Sequence, residues 1–171
     1  MSVRFEPLAR AHDRSTFTCG VDVLDDWFRT RASQDQRRRV AQVFVAIDDH
    51  GIAGFYSLSM FTLALDSIPP ELARKLPRYD AIPAALIGRL ARHHRTAGAG
   101  LGDLLVADAI TRVLGAAESV AAYAIVVDAK DDRGRAFYEG HGFISLPSRA
   151  NRLFLLAETA AAALVAVSRG R

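Results

Sequence analysis

One cysteine, Cys19, stands in 171 residues, so no disulfide can form within the chain and a reducing setting is implied. No motif surrounds Cys19, which reads as core filler rather than as a nucleophile. Lysine is nearly as scarce: of the 22 basic side chains only Lys75 and Lys130 are lysine. No run approaches the ~18 apolar residues of a membrane span. The opening MSVRFEPLARAHDRS lacks the apolar centre and small-residue cleavage site of a signal peptide. The expectation is a soluble, cytoplasmic protein without membrane association. There is no internal repeat or low-complexity tract.

What is present is ordinary for a globular protein: 50% apolar and 24% charged residues, in a length that suits one domain over 1–171. The net charge is only +3, yet the pI is about 9.4. Arginine favours planar, two-pronged contact with phosphate, which fits a nucleic-acid partner; genome composition produces the same bias. Five arginines, Arg29, Arg31, Arg37, Arg38 and Arg39, fall within eleven residues.

Val21, Leu24, Trp27, Phe28 and Ala32 recur at helical spacing and predict one amphipathic helix over 21–39. Strands over 40–48 and 52–65 form a hairpin that opens the sheet. A proline-punctuated stretch follows, with a short helix in PPELARKL, then a strand over 84–92. Behind the glycines, Leu101, Leu104, Leu105, Ala109, Val113 and Leu114 predict a helix ending at Gly115. VAAYAIVVDA is apolar throughout, hence a strand buried on both faces. A short helix within KDDRGRAFYEGHGF ends near Gly140, with Asp128, Asp131 and Asp132 read as its caps. ISL and RLFLLA are the last strands, and the alanine-rich tail is either a final helix or a frayed end. The class is mixed α/β.

RLARHHRTAGAGLGDLL places Gly98, Gly100 and Gly102 between a strand and a helix. Such a turn lets backbone amides approach a ligand, and the helix N-terminus adds positive partial charge, so the pair suits phosphate. The spacing is not G-x-G-x-x-G and no Walker lysine follows, which disfavours a dinucleotide or nucleoside triphosphate. Taken alone, the glycines equally serve as a tight strand-to-helix turn.

These residues resemble the pyrophosphate loop, Q/R-x-x-G-x-G/A, of the GCN5-related N-acetyltransferases. RTAGAG matches literally from Arg95; AGAGLG gives the more usual placement, with Ala97 where Gln or Arg is expected, and is preferred because the helical stripe then starts where the family's does. The resemblance extends to FTCGVDVLDDWF, GFYSLS, LPRYDAIPAALIGRLAR and VVDAKDDRGRAFYEGHGF. These pieces point to the subgroup of bacterial toxins, from toxin-antitoxin pairs, that acetylate charged tRNA. Arg92 and His93 depart from that subgroup's RLA-V-D.

The resemblance implies a mostly antiparallel central sheet with a splayed parallel pair, flanked by helices, and acetyl-CoA as co-substrate. Ala97, Gly98, Ala99, Gly100, Leu101 and Gly102 would hold the diphosphate; Leu90, Ala91 and Arg92 would line the pantetheine arm. Tyr138 would be the general acid for the departing thiolate. It further implies a small DNA-binding antitoxin and a homodimer.

An α-amine has a reference pKa of ~7.7–8.0 against ~10.4 for lysine, so an aminoacyl ester or protein N-terminus is already partly neutral and needs no strong base. Adjacent in a strand, His93 and His94 would face opposite sides, and no second ligand pair is nearby, so no metal is expected. Arg29, Arg37, Arg38, Arg78 and Arg89 are the expected RNA contacts, although a charge run at a helix end is also an ordinary solvated face. The function expected is an acetyl-CoA-dependent toxin acting on aminoacyl-tRNA. An acetyltransferase of a small amine or protein, and a catalytically weak antitoxin-binding module, are the alternatives.

Overall fold

The computed structural model describes residues 2–170. Seven strands form one mixed sheet in the order β1-β2-β3-β4-β5-β7-β6. In chain order they are β1 (Arg4–Pro7), β2 (Gln42–Asp48), β3 (Gly51–Ala64), β4 (Ala81–Arg92), β5 (Ala124–Asp128), β6 (Ile144–Leu146) and β7 (Arg149–Leu156). The helices are α1 (Asp22–Thr30), α2 (Ala32–Arg37), α3 (Pro70–Ala73), α4 (Leu101–Ala116), α5 (Asp132–Gly140) and α6 (Ala157–Arg169). The chain divides into two compact units, one of residues 2–59 with 87–109, the other of 60–86 with 110–170.

In the first unit, the core is built on aromatic rings. Phe28 stacks on Phe55 at 4.1 Å between centroids, and Phe17 meets both edge-on at 4.9 and 5.4 Å. Val43, Val45 and Phe55 of the β2–β3 hairpin are fully buried beneath them. Ala46 and Tyr56, which alternate with them along the strands, are fully buried too, so the hairpin is covered on both faces. Cys19 is half-buried against this cluster, and burial pushes its thiol pKa up, as a packing residue requires.

Three expectations need correction here. The hairpin does not open the sheet: β1 precedes it and pairs antiparallel with β2, from Arg4 opposite Ile47 to Pro7 opposite Phe44. Four residues reading RFEP carry no alternating pattern, so the strand is set by its partner. Nor is 21–39 one helix. Thr30 turns its hydroxyl back onto the Asp26 carbonyl at 2.6 Å, Arg31 takes φ −119°, and α2 starts anew. The buried stripe through Trp27, Phe28 and Ala32 survives the break. In α4, Leu104 is exposed and Val106 takes the buried place beside Leu105.

The second unit packs Leu63, Ile82, Val126, Leu146 and Phe154 into its own core. β5 pairs antiparallel with β7, and its first four residues are buried, as a continuous apolar run demands. β4 begins at Ala81, three residues before the expected start, and the Pro83 carbonyl accepts the Tyr123 amide at 2.8 Å. Asp128 does not cap α5. It lies opposite Arg152 in the β5–β7 register and forms a two-pronged pair with it at 2.7 and 2.8 Å. Asp131 is the cap, its carboxylate accepting the Gly134 amide at 2.8 Å. The alanine-rich tail is helical.

Candidate active site

The glycine segment lies in the first unit. β4 ends at Arg92, a tight 3-10 turn covers His94–Thr96, and α4 starts at Leu101. Gly98 and Gly100 adopt φ of +76° and +79°. A Cβ on either would meet nothing within 4 Å, so the left-handed backbone, not lack of room, selects glycine. The first amides of α4 have no partner within the helix; Leu104 is the residue whose N–H reaches the Gly100 carbonyl, at 3.4 Å. Leu101, fully buried, fixes that end to the core. The Ala97 and Ala99 amides donate within the preceding turn, to the His94 and Thr96 carbonyls at 3.1 Å each, so what this end offers an anion is the glycine amides and the positive terminus of α4.

Two registers were open for this loop. Arg95, which begins the literal one, is committed elsewhere: its guanidinium takes both oxygens of Asp48 at 2.6 and 2.9 Å and the Ile52 carbonyl at 3.3 Å. Ala97, which begins the other, is exposed. The guanidinium that the literal register needs is thus already engaged by Asp48 and Ile52.

His93 and His94 do not face opposite sides. The chain leaves β4 before them, and their rings sit 4.7 Å apart. His93 packs edge-on against Phe17 at 5.5 Å, and burial, aided by Arg95, holds its pKa below the ordinary imidazole value. Among the described residues no group of three or more His, Cys, Asp or Glu is arranged to hold a metal.

Of the residues expected along the pantetheine arm, Ala91 is buried and Leu90 and Arg92 are half-buried at the end of β4. Gly54 on β3 is the close approach that sequence reading missed. A Cβ there would lie 3.0 Å from the Ala91 carbonyl, 3.0 Å from Leu105 and 3.3 Å from Leu101. One missing methyl thus ties β4 to the first turns of α4.

Tyr138 belongs to the second unit. It sits on α5, 9% exposed, with the Phe137 and Phe143 rings at 5.2 and 5.7 Å. Burial pushes its phenol pKa up to about 12, so it keeps its proton at neutral pH. Its carbonyl accepts the amides of His141 and Phe143, closing the helix, and Gly142 at φ +91° turns the chain into β6.

The arginines differ in their freedom. Arg37 and Arg38 are exposed at the end of α2, and Arg78 is exposed after α3 in the second unit. Arg29 donates through Nε at 2.9 Å, and through a second nitrogen, to the Phe17 carbonyl. Arg89 lies half-buried over the Trp27 ring, 4.1 Å from its centroid. Among the described residues no helix is long and apolar enough to cross a membrane.

No protein-family model matches the chain. Among curated proteins, it is 31% identical over 160 residues to a probable toxin TacT of Sinorhizobium fredii, covering 88% of each chain. It is 36% identical over 155 residues to a tRNA-acetylating toxin of Mycobacterium tuberculosis, covering 91% of this chain and 92% of that one. Solved structures of AtaT are similar too, one complexed with acetyl-methionyl-tRNAfMet and one, as AtaTR, bound with AcCoA. Both are 25% identical, with TM-scores of 0.86 and 0.82, covering 92% and 95% of this chain and 96% and 98% of theirs. Likeness along nearly the full length, at 31% and 36% identity to curated toxins, places the protein in the GCN5-related N-acetyltransferase family, within its tRNA-acetylating toxins.

Proposed function

We propose that the protein transfers the acetyl group of acetyl-CoA to the α-amino group of aminoacyl-tRNA, and so blocks translation. The observation that carries this is the left-handed Gly98 and Gly100 before α4, in a chain 36% identical to a tRNA-acetylating toxin.

Acetyl-CoA supplies an activated thioester. The amides of Gly98, Gly100, Leu101 and Gly102 hold its diphosphate, and Leu90, Ala91 and Arg92 line its pantetheine arm. The neutral α-amine attacks the thioester carbonyl, forming the C–N bond as the C–S bond breaks. Tyr138 gives its phenolic proton to the leaving sulfur, and the proton lost from the amine goes to water. A carboxylate base is unnecessary, because an α-amine near pKa ~7.7–8.0 is partly neutral at cytoplasmic pH. Burial keeps the phenol protonated at neutral pH, the form in which it can give a proton to the leaving sulfur.

Arg29, Arg37, Arg38, Arg78 and Arg89 contact the RNA backbone in this reading, with Arg29 contributing what its bonds to Phe17 leave free. The chain works as one acetyltransferase domain over 1–171, as a homodimer in the cytoplasm, and is neutralised by a small DNA-binding antitoxin. Incubation with labelled acetyl-CoA and charged total tRNA tests the reaction. Label on RNA is the expected result; label only on free amines or proteins overturns it.

A further inference from the structure

We propose that Arg89, stacked on Trp27, and Arg31, one helical turn beyond that tryptophan, form a clasp for one phosphodiester of the RNA backbone. The inference rests on aminoacyl-tRNA being the substrate and adds a specific anchoring point to it.

Arg89 is fixed from both ends. Its amide donates to Ser57 Oγ at 3.0 Å, and its guanidinium lies over Trp27 at 4.1 Å. Trp27 cannot move away: it is 4% exposed, and its indole N–H donates to Asp35 Oδ2 at 2.8 Å. The break between α1 and α2 makes this possible, since it brings Asp35 to the N–H edge of the indole and leaves Arg31 exposed at the joint. A single helix over this stretch would not bring the two together in this way.

Thus a planar cation is held rigid and half-buried, yet its side chain makes no hydrogen bond or ion pair to any described residue. A guanidinium has five N–H donors, and partial burial without acceptors is costly. Asp35 is near enough to attract it electrostatically, but has given one oxygen to the indole. Arg31 is near enough to repel it. A cation immobilised over the Trp27 ring, with a second cation, Arg31, one helical turn beyond that tryptophan, makes a seat for an external anion of tetrahedral, two-pronged geometry. A phosphate group meets that description. Stacking on tryptophan keeps the side chain extended before RNA arrives, so little rotamer freedom is lost on binding.

RNA and the phosphates of acetyl-CoA share this chemistry, and the experiment separates them. R31A and R89A are compared with wild type for KM toward charged tRNA, for the salt dependence of tRNA binding, and for acetyl-CoA affinity by calorimetry. R89K, which keeps charge but loses the planar stack, is the conservative control. The clasp predicts a rise in KM for charged tRNA of about tenfold in each alanine variant, and a log–log salt slope shallower by roughly one phosphate contact. R89K should recover only part of the loss, with acetyl-CoA affinity at the wild-type value throughout. Unaltered KM and slope in both alanine variants overturn the clasp, as does a loss confined to acetyl-CoA affinity. Absence of label on RNA from the wild type instead refutes the tRNA reading itself.

Discussion

Asp48 at the end of β2 and Arg95 in the turn behind β4 hold each other by two parallel hydrogen bonds, at 2.6 and 2.9 Å, across 47 residues of sequence. The carboxylate also accepts the His50 amide at 2.9 Å, and its side chain is 9% exposed. This pair anchors the segment that delivers the glycine loop, two residues before Ala97. A charge-assisted, two-pronged pair sheltered from water contributes more than an exposed one.

Replacing Arg95 by Ala should therefore weaken acetyl-CoA binding several-fold, read by calorimetry, with a stability loss on the order of 1–3 kcal/mol by urea unfolding. The Arg95 hydrogen bonds hold the Asp48 carboxyl below its usual range. A carboxyl depressed in the folded state stabilises above its unfolded pKa of ~3.9, and that contribution is lost as pH falls through the folded value. Wild type should lose stability on acidification below about pH 4 more steeply than D48N. Equal slopes would separate the pair from the acid sensitivity.

Tyr138→Phe removes one hydroxyl and leaves the ring among Phe137 and Phe143. If the phenol is the acid, kcat should fall by roughly 10²-fold or more with little change in the melting temperature. The pH profile discriminates further. Activity should rise through the α-amine pKa near ~8 and then stay level to about pH 10, because burial holds the phenol near 12. A decline in wild-type rate between pH 9 and 10, absent from the Phe variant, would mean that the phenol titrates below the value burial implies, and would overturn the expected plateau.

How much of this was legible beforehand depends on the range of the interaction. The buried stripe of Trp27, Phe28 and Ala32, the start of α4 behind Gly100 and the apolar β5 all follow from local periodicity and turn chemistry. What escaped was decided by side chains distant in sequence. Nothing around His50 announces that Asp48 will meet Arg95, and nothing in RFEP announces a strand. The helix break escaped for a different reason: the Thr30 hydroxyl turning back onto the Asp26 carbonyl, and the indole reaching Asp35, are side-chain choices that apolar periodicity does not display. The histidine pair was misplaced because the opposite-faces rule holds only within a strand, and β4 has already ended at Arg92, with His93 opening the turn over His94–Thr96.

Gly54 offers a sharper packing test than the loop glycines. Gly54→Ala would set a methyl 3.0 Å from the Ala91 carbonyl, and a strand carbonyl has nowhere to retreat. A cost of about 1–3 kcal/mol in urea unfolding is expected, together with a raised KM for acetyl-CoA, as β4 and α4 are pushed apart. Gly98→Ala meets no atom, but forces alanine into φ +76°, for roughly 1 kcal/mol. Stability losses in the reverse order would mean that the sheet relaxes at Gly54.

The three aspartates between β5 and α5 should separate cleanly on mutation, although in sequence they look alike. Asp131 alone satisfies an orphan amide of the helix, through the 2.8 Å bond to Gly134 N–H, so D131A should cost about 1 kcal/mol and fray the first turn of the helix that carries Tyr138. Asp128 pairs with Arg152, whose side chain also lies over Phe61 at 4.9 Å, but the carboxylate is 43% exposed. D128A should therefore cost no more than about 1 kcal/mol and leave α5 intact. Asp132, 91% exposed and 3.6 Å from Arg135, should be nearly silent. Hydrogen exchange at the Gly134 and Arg135 amides provides the readout, since it reports opening of that turn directly. Faster exchange in D131A but not in D128A ties the cap to the helix, and a parallel drop in kcat would show that the position of the phenol depends on it.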